Sequence, residues 1–426
     1  MPGSRLADAE WQLPKAVVSC YASKGITELF EWQVQCLRLP EVWHRGSNIV
    51  YSAPTSAGKT LVAELLVLRR VLEQRKKALI ILPFISVARE KMIYLQTVYG
   101  QAGVIVDGFM GSLSASSGLQ SWDVAVCTIE KANGLVNRLI EDGKLDQIGT
   151  VVVDELHTVS EPSRGYLLEL LLAKLLFLSA GRGTDSRNKL QVVGMSATIP
   201  NMALLSGWLN AQLFVTDYRP VPLTETIAVG SWLYSKQHEQ FTELPSELRL
   251  PNDPQHLIGF CLEVVLRKHG VLVFCSTRVQ CEKVAEAIAQ TVFQAVRARD
   301  DLGIGIVASF DQERQITYHR EFERQFGENK QKPSLLNKCV QMGVCFHHAG
   351  LTMEEREFLE RGFRQSCIRV VVATSTLSAG VNLPAKRVII RNPWGQPGKA
   401  AALTPGLYRQ MVGRAGRQGI DSEGAC

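Results

Sequence analysis

Short runs of β-branched and other apolar residues alternate along the chain with longer segments whose apolar positions recur at helical period. Nine runs read as strands: 48–52 (NIVYS), 78–82 (ALIIL), 123–127 (DVAVC), 150–154 (TVVVD) and 191–195 (QVVGM), then 271–275 (VLVFC), 343–348 (GVCFHH), 368–374 (IRVVVAT) and 387–390 (RVII). That alternation predicts an α/β fold with mostly parallel sheets. Between the two series, residues 217–255 are polar, punctuated by proline and without comparable strand density. A boundary is expected there, giving an N-terminal extension at 1–29, a first domain at 30–218, a linker at 219–255 and a second domain at 256–426. Residues 290–340 are charged and weakly periodic, and read as a helical or loop insertion in the second domain without chemistry of its own.

Composition narrows this only a little. A chain of 426 residues exceeds one ordinary core, and 46% hydrophobic with 21% charged residues describes a folded globular protein. No apolar run reaches the ~18 residues of a membrane span, so no membrane partner is expected. The start of the chain, MPGSRLADAEWQLPK, lacks an apolar leader segment, and no secretory signal is expected. Ten cysteines without a C-x-x-C pair read as reduced thiols. The net charge of +6 permits a polyanionic partner without demanding one.

The candidate chemistry begins at 51–64, YSAPTSAGKTLVAE. A strand, a small-residue turn and a strongly helical segment follow one another, as a phosphate cradle requires: backbone N–H groups converge on the anion at a helix N-terminus. Ala53, Pro54, Thr55, Ser56, Ala57 and Gly58 form the turn. Gly58 lets the backbone approach a phosphate, Lys59 reaches the β- and γ-phosphates, and Thr60 offers a hydroxyl to Mg²⁺. Ala53 stands where the phosphate-loop pattern has glycine. The second half of such a site is a hydrophobic strand ending in acids, and GTVVVDELHTV (149–159) supplies it. Asp154 is the candidate Mg²⁺ holder, and Glu155 the group that orients and deprotonates the attacking water. A zinc site at His157 is not expected, because no third ligand has suitable spacing. In QMVGRAGR (410–417), Arg414 and Arg417 lie three apart in a stretch read as helical and so point the same way, as candidate arginine fingers; Gln410 is a candidate water-positioning group.

Read in order, FEWQ (30–33), APTSAGKT (53–60), LPFISVAREK (82–91), TIEKAN (128–133), DELH (154–157), SAT (196–198), FCSTR (274–278), HHAGL (347–351), ATSTLSAGVNLP (373–384) and QMVGRAGR form a series. It resembles that of the superfamily 2 DNA helicases, in which alanine commonly opens the phosphate loop. The resemblance implies two tandem RecA-like domains with parallel sheets and a nucleotide cleft between them, ATP and Mg²⁺ as cofactors, and ATP hydrolysis coupled to stepwise movement along DNA. It implies that Gln33 reads the adenine edge, that Gly380 approaches the nucleotide from the second domain, and that Ser196 and Thr198 couple the acids to the nucleic-acid surface through His157. Thr128, Thr277 and Thr374 are implied grips on the sugar-phosphate backbone; a strand-end or helix-cap role is the alternative for each. His347 and His348 are neighbours on a strand and point apart, so no metal is assigned to them. The expected partner is DNA, single-stranded or partly duplex and without sequence specificity, in nuclear repair of double-strand breaks. Members of the family continue beyond the last motif with a further strand, a winged helix and a helical ratchet domain. The expectation is therefore a truncated chain with its ATPase parts intact. The alternatives are a non-catalytic nucleotide- or DNA-binding fragment and an RNA helicase of the same superfamily.

Overall fold

The computed structural model describes residues 4–111, 121–161, 164–180, 190–196, 201–235, 241–327, 334–377, 383–392, 403–416, 421 and 423–426. Thr198, Gly380 and Arg417 lie outside the described residues. The chain divides into two compact units, Met1–Tyr218 and Arg219–Cys426.

The first unit is built on seven strands: β1 (Ile49–Ser52), β2 (Lys77–Leu82), β3 (Val106–Phe109), β4 (Val124–Thr128), β5 (Ile148–Val153), β6 (Gln191–Ser196) and β7 (Gln212–Val215). They form one sheet in the order β3-β4-β2-β5-β6-β1-β7, and every pair is parallel. Alternate residues serve opposite faces, as the pleat dictates. Tyr51, Ile80, Val126, Val152 and Val193 enter one core, and Val50, Ile81, Cys127, Val153 and Val192 the other. With both faces covered, the strands read as continuous apolar runs rather than alternating ones. Residues 4–29 are part of this unit. Leu6, Trp11, Val17, Tyr21 and Leu29 are buried in its core. The Tyr21 hydroxyl donates to Glu64 Oε2 at 2.7 Å, and Lys91 closes an ion pair on the same buried carboxylate.

The second unit has the sheet order β13-β14-β12-β15-β16-β8, again all parallel. Its strands are β8 (Leu223–Thr224), β12 (Val271–Phe274), β13 (Val344–His347), β14 (Val370–Ala373), β15 (Arg387–Ile390) and β16 (Gly424–Ala425). A separate antiparallel sheet joins β9 (Thr226–Val229), β10 (Trp232–Ser235) and β11 (Phe241–Glu243). The stretch 217–255, expected to be poor in strands, thus carries four short ones. It also sends Leu244 and Leu248 into the second core.

Residues 290–340, where described, are mostly helical. They complete the helix Arg278–Ala298 and supply Asp301–Ala308, Gln312–Phe326 and Leu335–Gln341. Asp300, Asp311 and Ser334 cap the last three by accepting from the N–H groups of Gly303, Arg314 and Asn337. Val292, Ile306, Tyr318, Phe322, Leu336 and Cys339 from this stretch are buried in the second core, so it is part of the domain's packing.

One glycine fixes the path near the acids. A Cβ on Gly165 would overlap the Val159 carbonyl oxygen and come within 2.9 Å of that of Thr158. Backbone cannot yield as a side chain does. Gly165→Ala is therefore expected to cost about 1–3 kcal/mol, an overpacking penalty read as a lowered urea midpoint.

Candidate active site

β5, β6 and β1 are adjacent and run the same way, so the phosphate loop, the acid pair and Ser196 emerge at one edge of the first sheet. Ser52 and Ser196 are register partners across β1 and β6, and Val153 pairs with Gly194. The carboxyl edge of a parallel sheet is where α/β proteins place ligands.

The loop turns through two left-handed residues, Ser56 (φ 68°) and Gly58 (φ 81°). Gly58 then opens the helix Lys59–Gln74, whose apolar positions Leu61, Leu65 and Leu68 face the core. A Cβ on Gly58 would sit 2.8 Å from Gln33 Nε2, and its φ of 81° is one that residues with a side chain rarely adopt, so glycine is favoured there on both counts. Gln33 is 1% exposed. Its Nε2 donates to the Gly58 carbonyl at 2.9 Å, and its Oε1 accepts from the Phe30 N–H at 2.8 Å. Trp32 Nε1 donates to the Ala57 carbonyl at 3.1 Å. The FEWQ segment thereby braces the loop from behind, a role that sequence reasoning did not give it. Tyr51 was missed as well: its hydroxyl donates to the Lys59 carbonyl at 2.7 Å. The signal for both was an aromatic residue with a polar tip beside a motif in an otherwise aliphatic run. Lys59 Nζ donates to the Ala53 and Pro54 carbonyls at 2.8 and 3.1 Å, which holds its charge over the loop.

Asp154 follows β5 directly, its N–H still donating to the Ile81 carbonyl at 3.0 Å. Its Oδ1 accepts from the Glu155 N–H at 2.8 Å. Burial, and then the neighbouring Glu155 charge, push its carboxyl from 3.8 up to about 6, with Lys59 acting in the opposite direction. Glu155 adopts a left-handed backbone, φ 51°, which turns the chain sharply out of the sheet. Its Oε2 lies 3.3 Å from His157 Nδ1, and the same nitrogen lies 3.1 Å from Ser196 Oγ. Burial lowers the His157 pKa, favouring a neutral ring that links the two. The structure thus brings together Lys59, Asp154, Glu155, His157 and Ser196 on neighbouring strand ends.

The donor set fits a hard divalent cation. Asp154 supplies a carboxylate and Thr60 a hydroxyl at the start of the loop's helix, both hard oxygen donors. Magnesium is held in just this sparse way, through one or two protein oxygens with phosphates and water completing the shell.

The implied nucleic-acid grips also follow strand ends. Thr128 ends β4 opposite Leu82 of β2, but its side chain is 3% exposed, so the groups it presents outward are those of the backbone and the helix Ile129–Glu141. In the second unit, exposed Thr277 caps Arg278–Ala298 by accepting from the Gln280 N–H at 3.3 Å. Thr374 follows β14 and shares a hydrogen bond with Thr376 at 2.9 Å. His347 and His348 do point apart, toward Glu360 at 3.0 Å and Glu282 at 3.1 Å.

One expectation is corrected. The helix carrying Gln410 spans Pro405–Val412, so Arg414 lies beyond its end rather than on the helix as expected, and Arg417 lies outside the described residues. Gly413 follows as the cap, and the Arg414 carbonyl is taken by the Ala385 N–H at 2.9 Å, which pulls the chain into a parallel bridge between Ala385 and Ala415. Arg219 secures this turn from below, donating to the Ala415 carbonyl at 2.7 Å.

Two family models match the chain: DEAD/DEAH box helicase over residues 32–205, and helicase conserved C-terminal domain over 306–419. The curated protein named DNA polymerase theta of Mus musculus is 50% identical over 98% of this chain. The chain belongs to the superfamily 2 helicases. Its two parallel sheets are the tandem RecA-like domains of that superfamily. Other members are similar over nearly the whole chain: "Helicase POLQ-like" of Homo sapiens at 36% identity over 97%, and "ATP-dependent DNA helicase Hel308" of Caldivirga maquilingensis at 33% over 97%. The chain spans 16%, 36% and 51% of the lengths of these three relatives. Among the described residues no helix is long and apolar enough to cross a membrane.

For this superfamily 2 core, the raised Asp154 carboxyl has a measurable consequence without nucleotide or metal. Well below pH 4 the group is protonated whether folded or unfolded and makes no difference. Between about pH 4 and 6 the unfolded chain ionises first and the folded state loses ground. As pH rises through about 6 the folded group ionises too, and the loss reaches its full size. Asp154→Asn is expected to raise the urea midpoint at pH 7.5 and to raise it much less at pH 3.

Proposed function

We propose that the chain is the motor core of an ATP-dependent DNA helicase, hydrolysing ATP to move along single-stranded or partly duplex DNA without sequence preference. The convergence of the Lys59 loop with Asp154 and Glu155 at one sheet edge carries this reading, and the names of its relatives, a DNA polymerase and a DNA helicase, point to DNA rather than RNA. The loop's amides and Lys59 bind and orient the phosphates. Asp154 and Thr60 would hold Mg²⁺, which, when bound, neutralises charge on the phosphoryl oxygens. Glu155 accepts the proton of the attacking water, and its contact with His157 reports that event to Ser196 and the rim beyond. Gln410 and Arg414 belong to this proposal as groups acting on the departing phosphoryl. Nuclear double-strand break repair is the setting the resemblance suggests.

Steady-state ATP hydrolysis, measured with and without single-stranded DNA and again with RNA of equal length at one salt concentration, tests the reading. Stimulation by DNA beyond that by RNA supports it. A folded, ATP-binding chain that DNA does not stimulate is a non-catalytic binding fragment, and stronger stimulation by RNA makes it an RNA helicase.

A further inference from the structure

A single arginine outside the motifs joins the acid loop to the rim where nucleic acid is expected. The turn Leu156–Ser160 leaves Glu155 and leads to Gly165, whose backbone is packed without clearance on Val159 and whose N–H donates to the Glu161 carbonyl at 2.9 Å. Arg164, the preceding residue, is therefore fixed to the acid loop through its own backbone. Its Nη1 donates to the Pro83 carbonyl at 2.7 Å, and its Nη2 pairs with Glu130 Oε1 at 2.9 Å. Pro83 follows the end of β2, where Phe84 and Ile85 are 36% and 42% exposed. Glu130 lies in the first turn of the helix that Thr128 opens, and Leu82 and Thr128 are register partners. One planar guanidinium thus holds both neighbouring lips, through a carbonyl on one and a carboxylate on the other, as a rigid fork can and a single ammonium cannot.

We propose that Arg164 is a positioning residue that couples the nucleotide state at Asp154 and Glu155 to the DNA grip implied at the end of β4, which it holds beside the end of β2. This deepens the helicase reading and rests on it. A shift of the acid turn moves Arg164 with it, and the two lips move together. Because the ion pair is half-exposed, it contributes little to stability, so loss of coupling separates from loss of fold.

The test is linkage between two ligands. The affinity of fluorescein-labelled oligothymidine is measured by anisotropy with and without a non-hydrolysable ATP analogue, beside DNA-stimulated ATP turnover. In the unaltered chain the analogue changes DNA affinity by a measurable factor. Arg164→Ala is expected to bring that factor to within about twofold of unity and to raise the DNA concentration for half-maximal stimulation about tenfold, while the KM for ATP changes less than twofold. Arg164→Lys, which keeps the charge but reaches one partner, should fall between, and it replaces the alanine variant should that one not fold. Glu130→Gln should weaken coupling in the same direction, and adding it to Arg164→Ala should do no further harm. Retained coupling in Arg164→Ala, or equal changes in ATP KM and DNA affinity, overturns the proposal and leaves the helicase reading intact. An unaltered chain without DNA stimulation overturns both.

Discussion

Lys59→Ala will reduce DNA-stimulated ATP turnover by about 10³-fold. Lys59 Nζ is held 2.8 Å from the Ala53 carbonyl, inside the turn where the N–H groups converge, so the β- and γ-phosphates meet its charge as they enter. Alanine leaves the loop's amides in place and removes the ammonium, and with it the electrostatic stabilisation that grows as the phosphoryl departs. Loss of one such preorganised contact costs about 10²–10³-fold in turnover, and weakened binding adds to that. The fold should survive, because the ammonium donates to the Ala53 and Pro54 carbonyls of its own loop. Turnover at saturating DNA and ATP, with a thermal melt as control, checks the prediction. A variant within tenfold of the parent would show that the phosphates lie elsewhere.

Glu155→Gln should separate binding from chemistry. The amide is isosteric and can occupy the same left-handed position at φ 51°, but it cannot take a proton from water. A positioned general base contributes about 10²–10⁴-fold, so turnover should fall by that amount while ATP binding stays within a few-fold. The 3.3 Å contact with His157 turns from charge–dipole to amide–imidazole, so the DNA affinity of the ATP-bound form should change little. Single-turnover hydrolysis beside equilibrium nucleotide titration reads both quantities. Normal hydrolysis by this variant would reassign the base. Weakened ATP binding with unchanged chemistry would give Glu155 a purely positioning role.

The parts of the site that depend on strand ends were legible in the sequence. Three consecutive valines followed by Asp154 describe a strand buried on both faces, and β5 ends at Val153 with the acids emerging at the expected edge. The loop was legible for the same reason: strand, small residues and helix are each local signals. The placement of Arg414 beyond the helix was not legible: the helix ends at Val412, and the Ala385 N–H on the Arg414 carbonyl draws the chain off into a bridge, a contact between distant parts of the chain. The helices at 290–340 were half visible. Their charged outer faces blur the apolar period, yet Asp300, Asp311 and Ser334 stand where caps belong. The sheet at 226–243 gave little signal because its strands are three or four residues long and Ile227, Val229 and Trp232 remain exposed, so no buried run marks them. The bracing by Trp32 and Gln33 and the reach of Arg164 to Pro83 are contacts between distant parts of the chain, which no local pattern encodes.

The position of Tyr21 bears on how the first domain can be shortened. The helicase family model begins at residue 32, which invites recombinant versions trimmed to that point. Such a trim would strip Leu6, Trp11, Val17 and Leu29 from the interior and leave Glu64, on the very helix that starts at Lys59, short of one of its donors. The bounds of the family model and of the packed unit differ here by more than two dozen residues, and a nucleotide-binding fragment should be cut according to the latter.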